Sequence, residues 1–397
     1  MKIGVYGGTF DPVHNGHIQT AEIIMRELSL DRIYFVAACD TPLKESESET
    51  SGVLRFKMLK SALKNKKDLL ASDVELKRGG KSYTVDTLEY FREQFPDAEI
   101  FFIVGGDRLA DFSQWHCPEK IMRFCSLAAV RRRETAKDYS ALAADIEKRF
   151  GGRVYVSEAY GPDISSTLIR ERIYNALPVS QLMPFEAELI LYENALYFPK
   201  EIRSIYEKLG KCLNEYRLKH TMLTVREAIE LGFRHGADTK KARLAAILHD
   251  CVKFDTPAMI DYAGKHGFEL TDEELMNPYL IHARMGAMAA EKVYGINDPE
   301  IINAIARHTL GSADMTTLDK VIYLADKLEP SRQYRKINVL KQLACQDLDS
   351  AVIAVMRHTV NYTKSSGRTI HPSTMGIIAA LENKKAKNKI QYKNGGD

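Results

Sequence analysis

Two histidines three residues apart, His14 and His17, stand just after a pair of glycines in the stretch KIGVYGGTFDPVHNGHIQTAEII, residues 2–24. Ile3 and Val5 suit a buried strand, and Gly7 and Gly8 let the backbone turn and lie close to a ligand. Asn15 is placed to cap a helix whose apolar face is Ile18, Ala21, Ile24 and Met25. A helix start presents free amide hydrogens and the positive end of the helix dipole, so this loop suits a polyphosphate, with two imidazoles as additional donors. A second set of chemically capable residues lies far along the chain: His220, His249, Asp250, His282, His308 and Asp326. The adjacent pair His249-Asp250 sits in LAAILHDCVKF, where Leu244, Ile247, Leu248 and Cys251 form an apolar face that draws it inward. Buried charge needs a partner, and a metal ion is one. Asp326, in VIYLADKLEP, has the same apolar setting. His220, His249, Asp250 and Asp326 offer two imidazoles and two carboxylates, a set suited to iron, manganese, cobalt or zinc rather than calcium.

The elements that must position these groups differ between the two halves. From Lys2 to about Tyr197, strand-like runs (Arg32 to Ala38, Leu69 to Leu76, Glu99 to Gly105, Ser126 to Arg131, Arg153 to Val156) alternate with helical patterns near Arg55 to Leu63 and Val85 to Gln94. Such alternation predicts an α/β domain, a doubly wound parallel sheet with helices on both faces and ligands at the carboxyl ends of its strands. After Phe198-Pro199 the strand signals stop, and from Glu201 to about Asn383 nearly every window is helical in period, with breaks at Gly232 to Gly236, Asp255 to Pro257, Asn277-Pro278, Asn297 to Pro299 and Glu329-Pro330. Two unlike domains are expected, 1–199 and an all-α bundle over 200–383, with 384–397 as a mobile basic tail.

Composition narrows the class. The chain has 397 residues, 45% hydrophobic and 27% charged, enough for two cores. A net charge of +3 is too small to argue for nucleic acid, and no run is long enough for a membrane span. The six cysteines form no CxxC pair, which reads as reduced thiols in a cytoplasmic protein. An oligomer is compatible with the sequence.

The motif GGTFDPVHNGH resembles the signature of the HxGH nucleotidyltransferases, and its Gly-Gly-Thr-Phe-Asp-Pro form resembles nicotinate-mononucleotide adenylyltransferases in particular. Ile164-Ser165-Ser166-Thr167-Leu168-Ile169-Arg170 is similar to that superfamily's second signature. The resemblance implies a Rossmann-like domain that joins ATP to nicotinate mononucleotide. It puts Gly8, Thr9, Phe10, His14, His17, Ser165, Ser166, Thr167 and Arg170 on ATP, with Lys44 reaching the phosphates and magnesium on the leaving pyrophosphate. Arg55 fits the family's arginine at the next helix start. Thr84, Asp107, Trp115 and Arg131 match segments around the nicotinate nucleotide; Trp115 is also readable as a core anchor. Where the family has Arg-Pro-Gly this chain has Arg131-Arg132-Arg133. Another phosphate ester, such as phosphopantetheine or a cytidylyltransferase substrate, is the alternative acceptor.

In the second half, LHDCVKF, IHARMGA, AIARHTLGSADM and YLADKLEPSR resemble the HD phosphohydrolases, and among them the bacterial family that splits diadenosine tetraphosphate symmetrically. That resemblance makes His282 and His308 a second metal position with Asp250 able to bridge, and sets Lys253 and Arg332 against phosphate oxygens. It implies iron or another transition metal, one or two ions, whose bound water attacks phosphorus. Ser331-Arg332 stands where that family has Gly-Arg after Glu-Pro. A nucleotide-sensing module that binds without turnover is the alternative for this half.

Overall fold

The computed structural model describes residues 1–39, 50–132 and 138–394. These divide into two compact units: Met1–Arg172 with Val179–Leu191, and Ile173–Pro178 with the chain from Tyr192 onward.

The first unit is built on six strands: β1 (Lys2–Gly8), β2 (Arg32–Ala37), β3 (Leu69–Ser72), β4 (Glu99–Gly105), β5 (Ser126–Arg131) and β6 (Val154–Tyr160). They pair in the order β3-β2-β1-β4-β5-β6, every neighbour parallel. This is the doubly wound sheet predicted from the alternation, and its strand order reverses between β1 and β4, where such sheets open a crevice at their carboxyl ends. Central strands buried on both faces read as continuous apolar runs, as in IFFIV of β4.

The expected strand Leu69 to Leu76 is shorter than predicted. It ends at Ser72, and Val74–Arg78 forms a short helix entered through Asp73. Period-two alternation of Val74 and Leu76 mimics a strand, but Glu75 between them is buried and accepts a 2.5 Å hydrogen bond from Thr87 Oγ1. The last strand is longer than expected, running on to Tyr160.

Arg55 has a structural task that the resemblance did not give it. Its guanidinium is buried and donates to the carbonyls of Thr9 (2.5 Å), Ala38 (2.7 Å), Thr50 (3.1 Å) and Cys39 (3.2 Å). It thereby fastens the loops leaving β1 and β2 to the helix Gly52–Ala62.

The second unit is helical among the described residues. Each break expected from sequence falls at a helix end: Asp255 and Asp298 accept hydrogen bonds from first-turn amides, Asn277 and Glu329 are C-caps, and Gly236 takes a φ of +70° just past the helix Glu215–Arg234. The last helix, Pro372–Asn394, carries helical backbone into the stretch read as a tail. No helix of the described residues is long and apolar enough to cross a membrane.

Replacing Arg55 by Met strands four carbonyls, two of them on cavity-lining residues, Thr9 and Ala38. The variant is expected to lose about 3 kcal/mol or more of stability, seen as a lower urea midpoint for the first unit. A raised KM for ATP with an unchanged midpoint would instead make Arg55 a phosphate ligand.

Candidate functional sites

The loop after β1 turns the two histidines toward the crevice. His14, rather than Asn15, is the N-cap of the helix Asn15–Leu28, and its backbone N–H donates to Nδ1 of His17 at 3.2 Å. Asn15 is spent elsewhere, its side chain donating to Gln181 O and its amide to Leu182 O. The two rings stack with centroids 3.6 Å apart. Gly16 between them is obligatory by space: a Cβ there would lie 2.8 Å from His14 Nδ1 and 3.3 Å from Ile164 O.

That second distance marks where the two sequence motifs meet. Arg170 donates to Asp11 O (2.7 Å) and Thr167 Oγ1 (3.2 Å), and Ser166 Oγ donates to Pro12 O (2.9 Å). Ser165 Oγ caps the second helix by accepting from Leu168 N. Arg170 therefore clamps one motif onto the other. Gly8, Thr9, Phe10, His14, His17, Thr84, Asp107, Trp115, Ser165 and Ser166 all line one cavity of about 640 Å³.

Thr167 and Arg170 lie behind its wall, and Lys44 falls outside the described residues. Arg131 is not at this cavity: it forms a two-pronged pair with Glu158 (2.8 and 2.9 Å). Its neighbour Arg132 lines the cavity and lies 3.4 Å from Asp107. At a strand's end successive side chains point to opposite faces, so adjacent arginines divide between the two sides. Trp115 fulfils both of its readings, packing on Phe102 and Phe112 while forming cavity wall. Tyr83 and His116, whose rings lie 4.5 Å apart, are wall residues that the motifs did not single out.

Burial holds His14 down to about 3, and the charge of Arg132 adds to the effect. His17 is pushed well below its usual range by burial, then by His14 and Arg132. Both rings are neutral at pH 7 and serve as hydrogen-bonding groups, while Arg132 supplies positive charge.

In the second unit, five helices deliver six side chains to one point. His220 comes from within Glu215–Arg234 and Asp326 from within Thr317–Leu328; His249 ends Thr239–Leu248 with Asp250 next, His282 opens Ile281–Lys292, and His308 ends Pro299–Arg307. All six are buried. Asp250 divides its oxygens: Oδ2 lies 3.6 Å from His249 Nε2 and 3.8 Å from His220 Nε2, whereas Oδ1 lies 3.5 Å from His282 Nε2 and 3.4 Å from His308 Nε2. His220 Nε2 is 3.1 Å from Asp326 Oδ1 and 3.3 Å from His249 Nε2, and His282 Nε2 is 3.2 Å from His308 Nε2.

Donors about 2.1 Å from a shared ion, at octahedral or tetrahedral angles, stand roughly 3.0 to 3.4 Å from one another. The 3.1, 3.3 and 3.2 Å separations lie in that range, while those from Asp250, 3.4 to 3.8 Å, run wider; His220, His249 and Asp326 form one group able to hold an ion and His249, Asp250 and His308 another.

The outward nitrogens are fixed as metal ligation requires. Nδ1 of His249 and of His308 each lie 2.7 Å from a helix carbonyl, and His220 Nδ1 lies 3.1 Å from Glu329 Oε1. Glu329 is itself held by the amide and hydroxyl of Ser331, both at 2.6 Å, so the serine that departs from Gly-Arg supplies a bond that glycine's side chain lacks. Burial takes His249 down to about 3 and His282 well below its usual range, leaving the basic lone pairs free. For Asp250 burial works upward, but His249, His308 and Lys253 overcome it and keep the carboxylate charged.

Lys253 Nζ is 3.2 Å from Asp250 Oδ1, and Arg332 lies 3.0 Å from Asp326 Oδ1, so both residues expected at phosphate oxygens stand beside the cluster. Arg217, Lys327 and Glu329 also touch the cluster and were not foreseen. Arg217 had a readable signal, lying three residues before His220 on one helix face.

Comparison with known proteins matches residues 5–172 to the cytidylyltransferase-like family and residues 217–331 to the HD domain. A probable nicotinate-nucleotide adenylyltransferase from Clostridium novyi is 35% identical over 197 residues, spanning 49% of this chain and 98% of that protein. This chain belongs to the nicotinate-nucleotide adenylyltransferase family. Its second half carries an HD domain, which implies a divalent metal. A Mycoplasma genitalium protein named as a probable nicotinate-nucleotide adenylyltransferase/Ap4A hydrolase is 26% identical over 371 residues, covering 92% of this family member and 99% of its own length. The crystal structure of a Clostridium acetobutylicum protein, described as a predicted HD superfamily hydrolase involved in NAD metabolism, is 34% identical and covers 46% of this chain and 97% of its own, with a TM-score of 0.44.

Two outcomes follow from the geometry. A histidine whose folded pKa lies below its unfolded value of about 6.5 stays neutral in the fold while the unfolded chain takes up a proton, so stability falls as pH drops from about 6.5 toward 3. His14 contributes about 2 kcal/mol of that loss by pH 5, and His14→Asn should show a correspondingly shallower fall in urea-unfolding stability between pH 7 and 5. In the second unit, Asp250→Asn is expected to strip tightly bound metal, read by elemental analysis of the purified proteins. Equal metal content in variant and wild type would reduce Asp250 to a hydrogen-bond acceptor worth about 1 kcal/mol.

Proposed function

We propose that the chain is a bifunctional enzyme. Its first domain, 1–199, transfers the adenylyl group of ATP to nicotinate mononucleotide, giving deamido-NAD and pyrophosphate. Its second, 200–383, splits diadenosine tetraphosphate into two ADP, with iron or another transition metal, one or two ions. The observation that carries the first reading is the single cavity shared by the stacked histidines and the Ser165-Ser166 helix start on one side, and Thr84, Asp107 and Trp115 on the other. A triphosphate and a pyridine nucleotide need such adjacent walls.

In the transfer, a phosphate oxygen of nicotinate mononucleotide attacks the α-phosphorus of ATP, the bond to the bridging αβ oxygen breaks, and pyrophosphate leaves with the electron pair. The protein contributes alignment and charge. His14 and His17, being neutral, donate hydrogen bonds to the phosphoryl oxygens, and Arg132 offsets the charge that builds there. Ser165 and Ser166 present the second helix start to the β- and γ-phosphates, with Lys44 assigned to the same phosphates by the family pattern. Magnesium would arrive as a complex with the triphosphate and needs no protein cage. The ring of Trp115 offers a stacking face for nicotinate, and amides near Thr84 take its carboxylate.

In the HD domain, His220, His249, Asp250, His282, His308 and Asp326 hold the metal, which when bound supplies a water of lowered pKa and Lewis-acid stabilisation of phosphate oxygens. Lys253 and Arg332 neutralise further charge on the phosphate chain. The paired name of the Mycoplasma genitalium relative supports joining the two activities. Both are assigned to the cytoplasm, in keeping with six free cysteines.

In the full chain, His17→Ala should lower adenylylation of nicotinate mononucleotide about a hundredfold, roughly 3 kcal/mol of transition-state stabilisation, while hydrolysis of diadenosine tetraphosphate with added Fe²⁺, Mn²⁺ or Co²⁺ persists. Unchanged transfer at saturating ATP would remove His17 from the site; phosphopantetheine used in preference to nicotinate mononucleotide would reassign the acceptor.

A further inference from the structure

We infer that Arg217 is a substrate-binding residue of the HD site, one that grips the phosphate chain of a nucleoside polyphosphate beside the metal position formed by His220, His249 and Asp326. The inference deepens the proposed hydrolase reading and rests on it. Arg217 Nη1 lies 2.9 Å from Asp250 Oδ2, the oxygen on the His220 and His249 side of the cluster. Asp250 has no exposed side-chain surface, whereas Arg217 keeps 26% of its own, so its guanidinium bridges the buried ligands and the solvent.

Four cations touch the cluster, and they differ in how fully they are used. Lys327 donates to Asp326 Oδ2 and His308 O, each at 2.8 Å, and lies over the ring of Tyr323. Arg332 is held by Asp326 O, Asp326 Oδ1 and Glu329 Oε1. Lys253 reaches Oδ1 of Asp250, on the other metal group's side. Arg217 spends one of its five N–H donors on Asp250. Its planar fork is thus left with donors spaced for two oxygens of one phosphate, the pairing at which arginine exceeds lysine.

Charge points the same way. Arg217, Lys253, Lys327 and Arg332 stand against Asp250, Asp326 and Glu329, so the protein side is positive by one before any divalent ion adds more. A site whose cations outnumber its carboxylates and whose Arg217 keeps spare donors is matched to an anionic phosphate ligand.

The experiment uses the full chain loaded with Mn²⁺, as wild type, Arg217→Gln and Arg217→Lys. Metal content is measured by elemental analysis, ADP binding by calorimetry, and KM and kcat with diadenosine tetraphosphate. The expected result for Arg217→Gln is unchanged metal stoichiometry, ADP affinity weakened at least tenfold, and a loss of hydrolysis that falls mainly on KM; Arg217→Lys recovers part of the affinity. Loss of metal in Arg217→Gln would overturn the inference and make Arg217 a counter-ion that positions Asp250. Equal ADP affinity in wild type and Arg217→Gln would overturn it as well. Absence of turnover in wild type would count against the hydrolase reading alone, because the ADP comparison still decides the role of Arg217.

Discussion

Asp250 is the constraint around which the second unit is arranged. A carboxylate removed from water costs several kcal/mol unless its charge is answered, and here one oxygen faces His220 and His249 while the other faces His282 and His308. No single helix can supply that shell. The packing of five helices follows from the need, down to Gly286, where a Cβ would come within 3.3 Å of His249 O and hold the helix Ile281–Lys292 away from the histidine it must join. Asp250 and Asp326 are two buried carboxylates, and Arg217, Lys253, Lys327 and Arg332 answer their charge in advance of metal.

The first unit meets the opposite requirement. It must bring polyanions close to backbone, and it fixes that backbone by using two of its arginines on carbonyl oxygens. Arg55 collects four of them and Arg170 takes Asp11 O. The loop between is stiffened from behind, so its amides and imidazoles keep their direction when a ligand binds. Neutral histidines suit this arrangement, since each has one ring N–H to give and carries no charge that would need a resident counter-ion.

The sequence disclosed the parallel sheet, the helical half and the six side chains that the HD unit brings together. They were legible because motif residues interrupt apolar periodicity, and a polar pair on an apolar helix face has few uses. Glu329 and Lys327 were not legible, because a charged residue at a helix end or on its polar side is also what solvent alone would select, and Arg217 offered only its place three residues before His220. Arg131 and Arg132 show a different limit. They occupy one motif position to within a residue, and the two-residue period of a strand end decided which of them reaches the cavity. Leu69 to Leu76 failed for a related reason, its alternation being satisfied equally by a strand and by a short helix entered through Asp73.

The dependence of the loop after β1 on late residues bears on how the chain is made. Besides Arg55 on Thr9 O, its partners are Ser166 on Pro12 O and Arg170 on Asp11 O, and the helix that follows is tied through Asn15 to Gln181 and Leu182. A ribosome releases the N-terminus first and adds about 5–20 residues per second, so the histidine loop waits, for roughly ten seconds or more, for segments some 150 residues behind it. Until then Arg55 alone of these side chains is there to hold the loop. Nucleotide affinity should therefore arise late in synthesis, in one step, when the stretch ending at Leu182 clears the exit tunnel and the HD unit is only beginning to be translated.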